Sequence, residues 1–152
     1  MKVSARQDGA TLIEVLIAVV LLAIGFLGYA QLQTRALQIS NEALYQSRAA
    51  VMAESLFERL RANRDLALNG NDYLFNDDGQ GNLPSQPDCD LQDCSAVQIA
   101  QRDLALWLEQ LKDTLPGASA RLERQGHRFK LSMEWPGQGG QGQPAAVFIT
   151  RL

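Results

Sequence analysis

Between Glu14 and Arg35 the chain carries no Asp, Glu, Lys or Arg, and residues 10–30 are almost wholly Ala, Val, Leu, Ile, Gly and Phe. As a helix rising ~1.5 Å per residue, about 20 such residues span the ~30 Å hydrocarbon core of a bilayer. Averages hide this. With 46% hydrophobic and 20% charged residues and a net charge of −3, the whole chain resembles an ordinary soluble domain. The apolar residues are concentrated at one end, so the sequence divides into one anchor and one polar part no larger than a single domain.

Residues 1–9, MKVSARQDG, contain Lys2 and Arg6 and are polar throughout. Positive charge ahead of an apolar segment keeps that end cytoplasmic, which places the bulk of the chain across the membrane. A secretory signal would have a shorter apolar run closed by a small-x-small cleavage site. This run passes through Gly25, Phe26, Gly28 and Tyr29 into further helical pattern. A plain anchor fits the length but leaves Glu14 without a reason, because a carboxylate in lipid costs several kcal/mol unless paired or protonated. Thr11 and Glu14 also have the spacing of a capping box, a local role that can coexist with any other. The Gly25 and Gly28 pair suits close helix contact or local softening of the anchor.

The string Gly9-Ala10-Thr11-Leu12-Ile13-Glu14-Val15 resembles the processing motif of type IV prepilins and the related pseudopilins. The resemblance implies that a prepilin peptidase/N-methyltransferase cuts after Gly9 and methylates Ala10, the new N-terminus. It also implies an assembly role for Glu14, the fifth mature residue. The family's usual first mature residue is Phe, and Ala10 departs from that. Electrostatics gives Glu14 a physical task. In a bundle of parallel helices its carboxylate can meet the α-amino group of a neighbouring subunit, and any other stagger leaves a charge unpaired in lipid.

Beyond the anchor, Leu32, Leu37, Leu44, Val51, Leu56 and Leu60 recur with Ala36, Ala43 and Ala50 close by. This predicts one amphipathic stripe on a helix continuing to about Leu68, stopped by Asn69-Gly70-Asn71. Residues 69–88 read as loop. Cys89 and Cys94 are the two cysteines. With no CxxC pair and only His127 as a further soft ligand, a metal half-site is the weaker reading. On the non-cytoplasmic side a short disulfide is the better one. A helix follows from about Ser95 to Leu115, with Val97, Ile99, Ala100, Leu104, Trp107, Leu108 and Leu111 as its apolar side. Strand-like segments cover 120–124, 128–135 and 145–152, the second alternating strictly between Arg128 and Trp135. The stretch 136–144, PGQGGQGQP, reads as a solvated hairpin loop.

Bland roles suffice for most remaining residues. Arg59–Arg64 reads as a solvated helix end, with a partner surface as the alternative. Trp107 and Trp135 belong in the core, Asp103 in a cap or local hydrogen bond, and His127 at the surface. No catalytic, cofactor-binding or metal-binding residue is assigned, and no basic patch suits nucleic acid.

The run Met52-Ala53-Glu54-Ser55-Leu56-Phe57-Glu58-Arg59-Leu60-Arg61-Ala62-Asn63-Arg64 resembles the PilV branch of the minor pilins. Cys89, Cys94, Asp103, Trp107, Leu115-Pro116-Gly117 and Trp135 follow in the order that branch shows. The resemblance implies an α+β, type IV pilin-like fold in which a long N-terminal helix packs on a small antiparallel sheet, with an additional short helix and loops. It implies a cleaved leader at 1–9, a membrane and assembly half at 10–30, an amphipathic half at 31–68 and the rest of a periplasmic domain at 69–152. The implied partners are other minor pilins, the major pilin and inner-membrane lipid. The implied role is priming pilus assembly at or near the tip of an extracellular pilus. A type II secretion pseudopilin and an anchored adhesin-like module are the alternatives.

Overall fold

Helix α1 starts one residue after Thr11 and runs Leu12–Ala62, 51 residues. The computed structural model describes residues 11–79, 84–90, 93–136 and 145–152. The chain divides into two compact units, Met1–Asn41 and Glu42–Leu152, and α1 contributes to both. In the first unit every large apolar side chain from Leu12 to Ile39 is exposed, and by length and composition this is a helix able to cross a membrane. A surface of that kind is stable only in lipid or against other apolar helices.

In the second unit α1 buries Ala49, Met52, Ala53, Leu56, Phe57 and Leu60. This corrects the single stripe expected from sequence. Leu44 and Val51 lie exposed at 47% and 67%, whereas Leu56 and Leu60 of the same series are buried, so the expected stripe is split between two faces. Small Ala49 and Ala53, not the larger Leu44 and Val51, face the core, where they let other elements approach closely.

The helix was expected to continue to about Leu68, but it ends at Ala62. Asn63, at φ −116° and ψ 49°, separates it from α2, Arg64–Asn69. The Asn63 side-chain amide donates to the Ala96 carbonyl at 2.9 Å, a tertiary bond that holds this residue out of helical geometry. Gly70 then caps α2, its N–H donating to the Leu66 carbonyl.

Four strands follow the helical half in one antiparallel sheet ordered β1-β2-β3-β4: Phe75–Asp77, Ser119–Gln125, Arg128–Glu134 and Ala146–Arg151. β1 falls in the stretch read as loop; Phe-Asn-Asp is too short and too polar to show a strand period. Between β1 and β2 runs α3, Ala96–Thr114. Its Ser95 accepts from the Gln98 N–H, and the Gln98 side chain accepts from the Ser95 N–H, a complete capping box. Ala100, Leu104, Ala105, Trp107, Leu108 and Leu111 face inward, whereas Val97 and Ile99 in the first turn are exposed.

The core closes where α3 and the end of α1 meet the inner face of the sheet, built from Ala120, Leu122, Phe129, Leu131 and Met133. Trp107 is fully buried, its ring centroid lies 5.7 Å from that of Phe75, and its indole N–H donates to the Met52 carbonyl at 2.8 Å. Trp135 is buried as well. Gly117 lies at φ +74°, and an added Cβ would meet Pro136 Cγ at 2.9 Å, so the turn from α3 to β2 requires glycine. Residues 137–144, expected as a hairpin loop, lie outside the described residues.

Candidate assembly site

Glu14 occupies the first turn of α1, exposed, at position N3. Its backbone N–H donates to Thr11 Oγ1 at 3.4 Å, one half of a capping box. The helix therefore begins with a carboxylate near its positive dipole end, where negative charge is favoured. Gly9 and Ala10, the expected cleavage and methylation positions, lie outside the described residues. Within the first unit Gly25 and Gly28 have open space where a Cβ would stand, so α1 offers a smooth patch there.

The arginine-rich end of α1 is not simply a solvated tail. Arg59 donates to Asp103 on α3 at 2.9 Å, and the Tyr73 hydroxyl donates to the other carboxylate oxygen at 3.0 Å. Asp103 thus joins α1, the loop before β1 and α3. Burial pushes the Tyr73 phenol well above its ordinary value, and the nearby Asp103 carboxylate adds to the shift. Arg61 donates to Glu54, Glu58 and Thr150, and the two carboxylates raise its already high pKa. Only Arg64 of this string lacks a bond of this kind among the described residues. The string read as solvated is largely a set of staples.

Two further fasteners escaped the sequence reading. Arg124 of β2 donates to the carbonyls of Ala67, Leu68 and Gly70 at 2.6, 2.7 and 2.6 Å, and to Asn71 at 3.1 Å. These carbonyls are the unsatisfied end of α2, which a cation satisfies best. On α3, Arg102 grips both oxygens of Asp90 at 2.9 and 2.8 Å. Asp90 lies inside the loop closed by the Cys89–Cys94 disulfide, whose Cα atoms are 5.4 Å apart. Neither was legible beforehand, since both arginines find their partners in segments distant along the chain.

His127 sits exposed in the two-residue turn between β2 and β3, where its carbonyl accepts from the Leu152 N–H at 3.1 Å. A broad polar groove of about 620 Å³ crosses the outer face of the sheet, lined by Asn76, Asp78, Ser119, Arg121, Ser132 and Glu134 among others. Its charges largely answer one another: Glu123 lies 3.8 Å from Arg121 and 3.9 Å from Lys130.

A long N-terminal helix, apolar in its first half and packed by its second half on a small antiparallel sheet with two shorter helices, is the α+β architecture of type IV pilins. The family comparisons agree. Residues 4–30 match the prokaryotic N-terminal methylation motif, and residues 31–105 match the Tt1218-like family, described as type IV pilin Tt1218. Together these similarities support a pilin role and a prepilin-type N-terminus. No curated protein and no solved structure matches the chain.

Proposed function

We propose that the chain is a minor pilin of the PilV type that helps prime type IV pilus assembly and enters the pilus at or near its tip. The observation that carries this reading is the methylation motif over 4–30, whose residues from Leu12 onward form an exposed apolar helix with Glu14 in its first turn. In this reading the prepilin peptidase/N-methyltransferase cuts after Gly9 and methylates Ala10. The subunit waits in the inner membrane with its folded unit in the periplasm, and is then drawn into a bundle of like helices. There Glu14 meets the amino terminus of a neighbouring pilin, which sets the axial stagger.

Mass spectrometry of the mature protein from cells is expected to find a methylated Ala10 at the N-terminus; an intact Met1, or a cut near Ala30, would sink the reading. Glu14→Ala is expected to leave cleavage intact while preventing entry into filaments. Deleting the gene is expected to remove surface pili with protein secretion unchanged. The reverse outcome assigns the chain to a type II secretion pseudopilus instead.

A further inference from the structure

Among the described residues the sheet ends on β4, which has a strand neighbour on one side only, β3. Such an edge presents unpaired backbone N–H and C=O groups, and native proteins usually blunt it with charge, proline, a bulge or a cover. Here the outward face of β4 instead shows Val147 and Ile149, 44% and 62% exposed, alternating with the half-buried Ala146, Phe148 and Thr150. Among the described residues no strand pairs with the outer edge of β4.

The charges at one end of this face say what suits it. Arg128 and Arg151 stand directly opposite each other across β3 and β4, both exposed. With Gln125 and His127 they line a depression of about 250 Å³. Like charges at opposed positions destabilise a strand pair. Neither arginine has an ion pair among the described residues, whereas Lys130, two positions along β3, lies 3.9 Å from Glu123. Among the described residues the arginine pair lacks a carboxylate such as Glu123 provides for Arg121 and Lys130.

The β4 edge of a second copy of this chain does not supply one. β4 reads Ala-Val-Phe-Ile-Thr-Arg and contains no Asp or Glu. Antiparallel pairing of two β4 edges about Ile149 would set Arg151 opposite Val147, and parallel in-register pairing would set arginine beside arginine.

We propose that the free edge and outward face of β4 receive an extended segment of a different polypeptide. That segment is apolar where it meets Val147 and Ile149 and carries an Asp or Glu that reaches Arg128 and Arg151. Backbone pairing along the edge supplies affinity, and the carboxylate clasped between two guanidinium groups supplies register and choice of partner. This interface does not depend on the Glu14 contact.

The test places the photo-crosslinker p-benzoylphenylalanine at position 147 or 149 of the full-length chain, in the cells that make it. Irradiation is expected to give an adduct with a different polypeptide, mapped by mass spectrometry to a segment of alternating apolar residues that contains Asp or Glu. Arg128→Ser with Arg151→Ser is expected to lower the adduct yield about tenfold, while Arg128→Lys with Arg151→Lys retains most of it. An adduct with a second copy, an adduct on a segment without Asp or Glu, a yield indifferent to removing both arginines, or no adduct at all would overturn the proposal.

Discussion

Asp103 of α3 receives the Arg59 guanidinium of α1 at 2.9 Å, with both side chains less than one-third exposed. The same carboxylate holds the Tyr73 hydroxyl, so one side chain on α3 stabilises two segments distant in sequence. Asp103→Ala removes both bonds and leaves a half-buried cation and a buried phenol without this partner. We expect a loss of about 2 kcal/mol, with Asp103→Asn losing less because its amide oxygen can still accept. Urea unfolding of the full chain in detergent, followed by tryptophan fluorescence, measures both; an unchanged midpoint for Asp103→Ala would show that the junction contributes nothing.

Tyr73 makes the folded unit sensitive to alkali. Burial raises its pKa above the ordinary value of 10.0, the neighbouring carboxylate adds to that, and a bond from Asn63 acts in the opposite sense. The folded state therefore holds this proton more tightly than the unfolded chain does. Its contribution is complete below about pH 10 and is lost as pH rises beyond that. We expect the unfolding midpoint to fall more steeply above pH 10 in the wild type than in Tyr73→Phe. Parallel pH profiles for the two proteins would refute the linkage.

Arg124 should govern the stability of α2 locally. Replacing it with Ala leaves the carbonyls of Ala67, Leu68 and Gly70 without their cation. Hydrogen exchange in Arg64–Asn69 is expected to accelerate about tenfold, corresponding to ~1.4 kcal/mol, while exchange in the middle of α3 stays within about twofold. Equal acceleration everywhere would mean that Arg124 acts on the whole unit.

The Cys89–Cys94 bridge closes a short loop, so its removal is expected to cost only about 2 kcal/mol. Cys89→Ser with Cys94→Ser should lower the thermal midpoint and free Asp90 from Arg102. Reductant should bring the wild type to the same midpoint and leave the double variant unmoved. A wild type insensitive to reductant, with a destabilised double variant, would assign the loss to the serines themselves.

Much of this architecture is written locally. The charge-free run after Glu14 determines an apolar helix, because nothing in it breaks helical periodicity and only lipid or other apolar helices can cover it. Strict alternation from Phe129 to Trp135 places one face of β3 inward, and the pair Gly126-His127 suits a tight turn because Gly126 takes φ +61°. The disulfide was readable from the short spacing of the cysteines and the expected compartment.

Tertiary structure decided the rest, wherever a residue's role depends on a partner far along the chain. Sequence periodicity could not separate the exposed Leu44 and Val51 from the inward Ala49 and Ala53, because a long helix carrying two apolar faces has no single stripe. The end of α1 at Ala62 rests on Asn63 reaching Ala96, and β1 exists because Phe75–Asp77 pairs with Ala120–Leu122. Arg59 and Arg124 look like surface charge until the fold brings a carboxylate and helix-end carbonyls to them. Helical and strand periods arise from each residue's nearest neighbours, and so survive in one dimension. Caps, staples and the choice of core face are made by contacts between segments, and exist only once the chain has closed on itself.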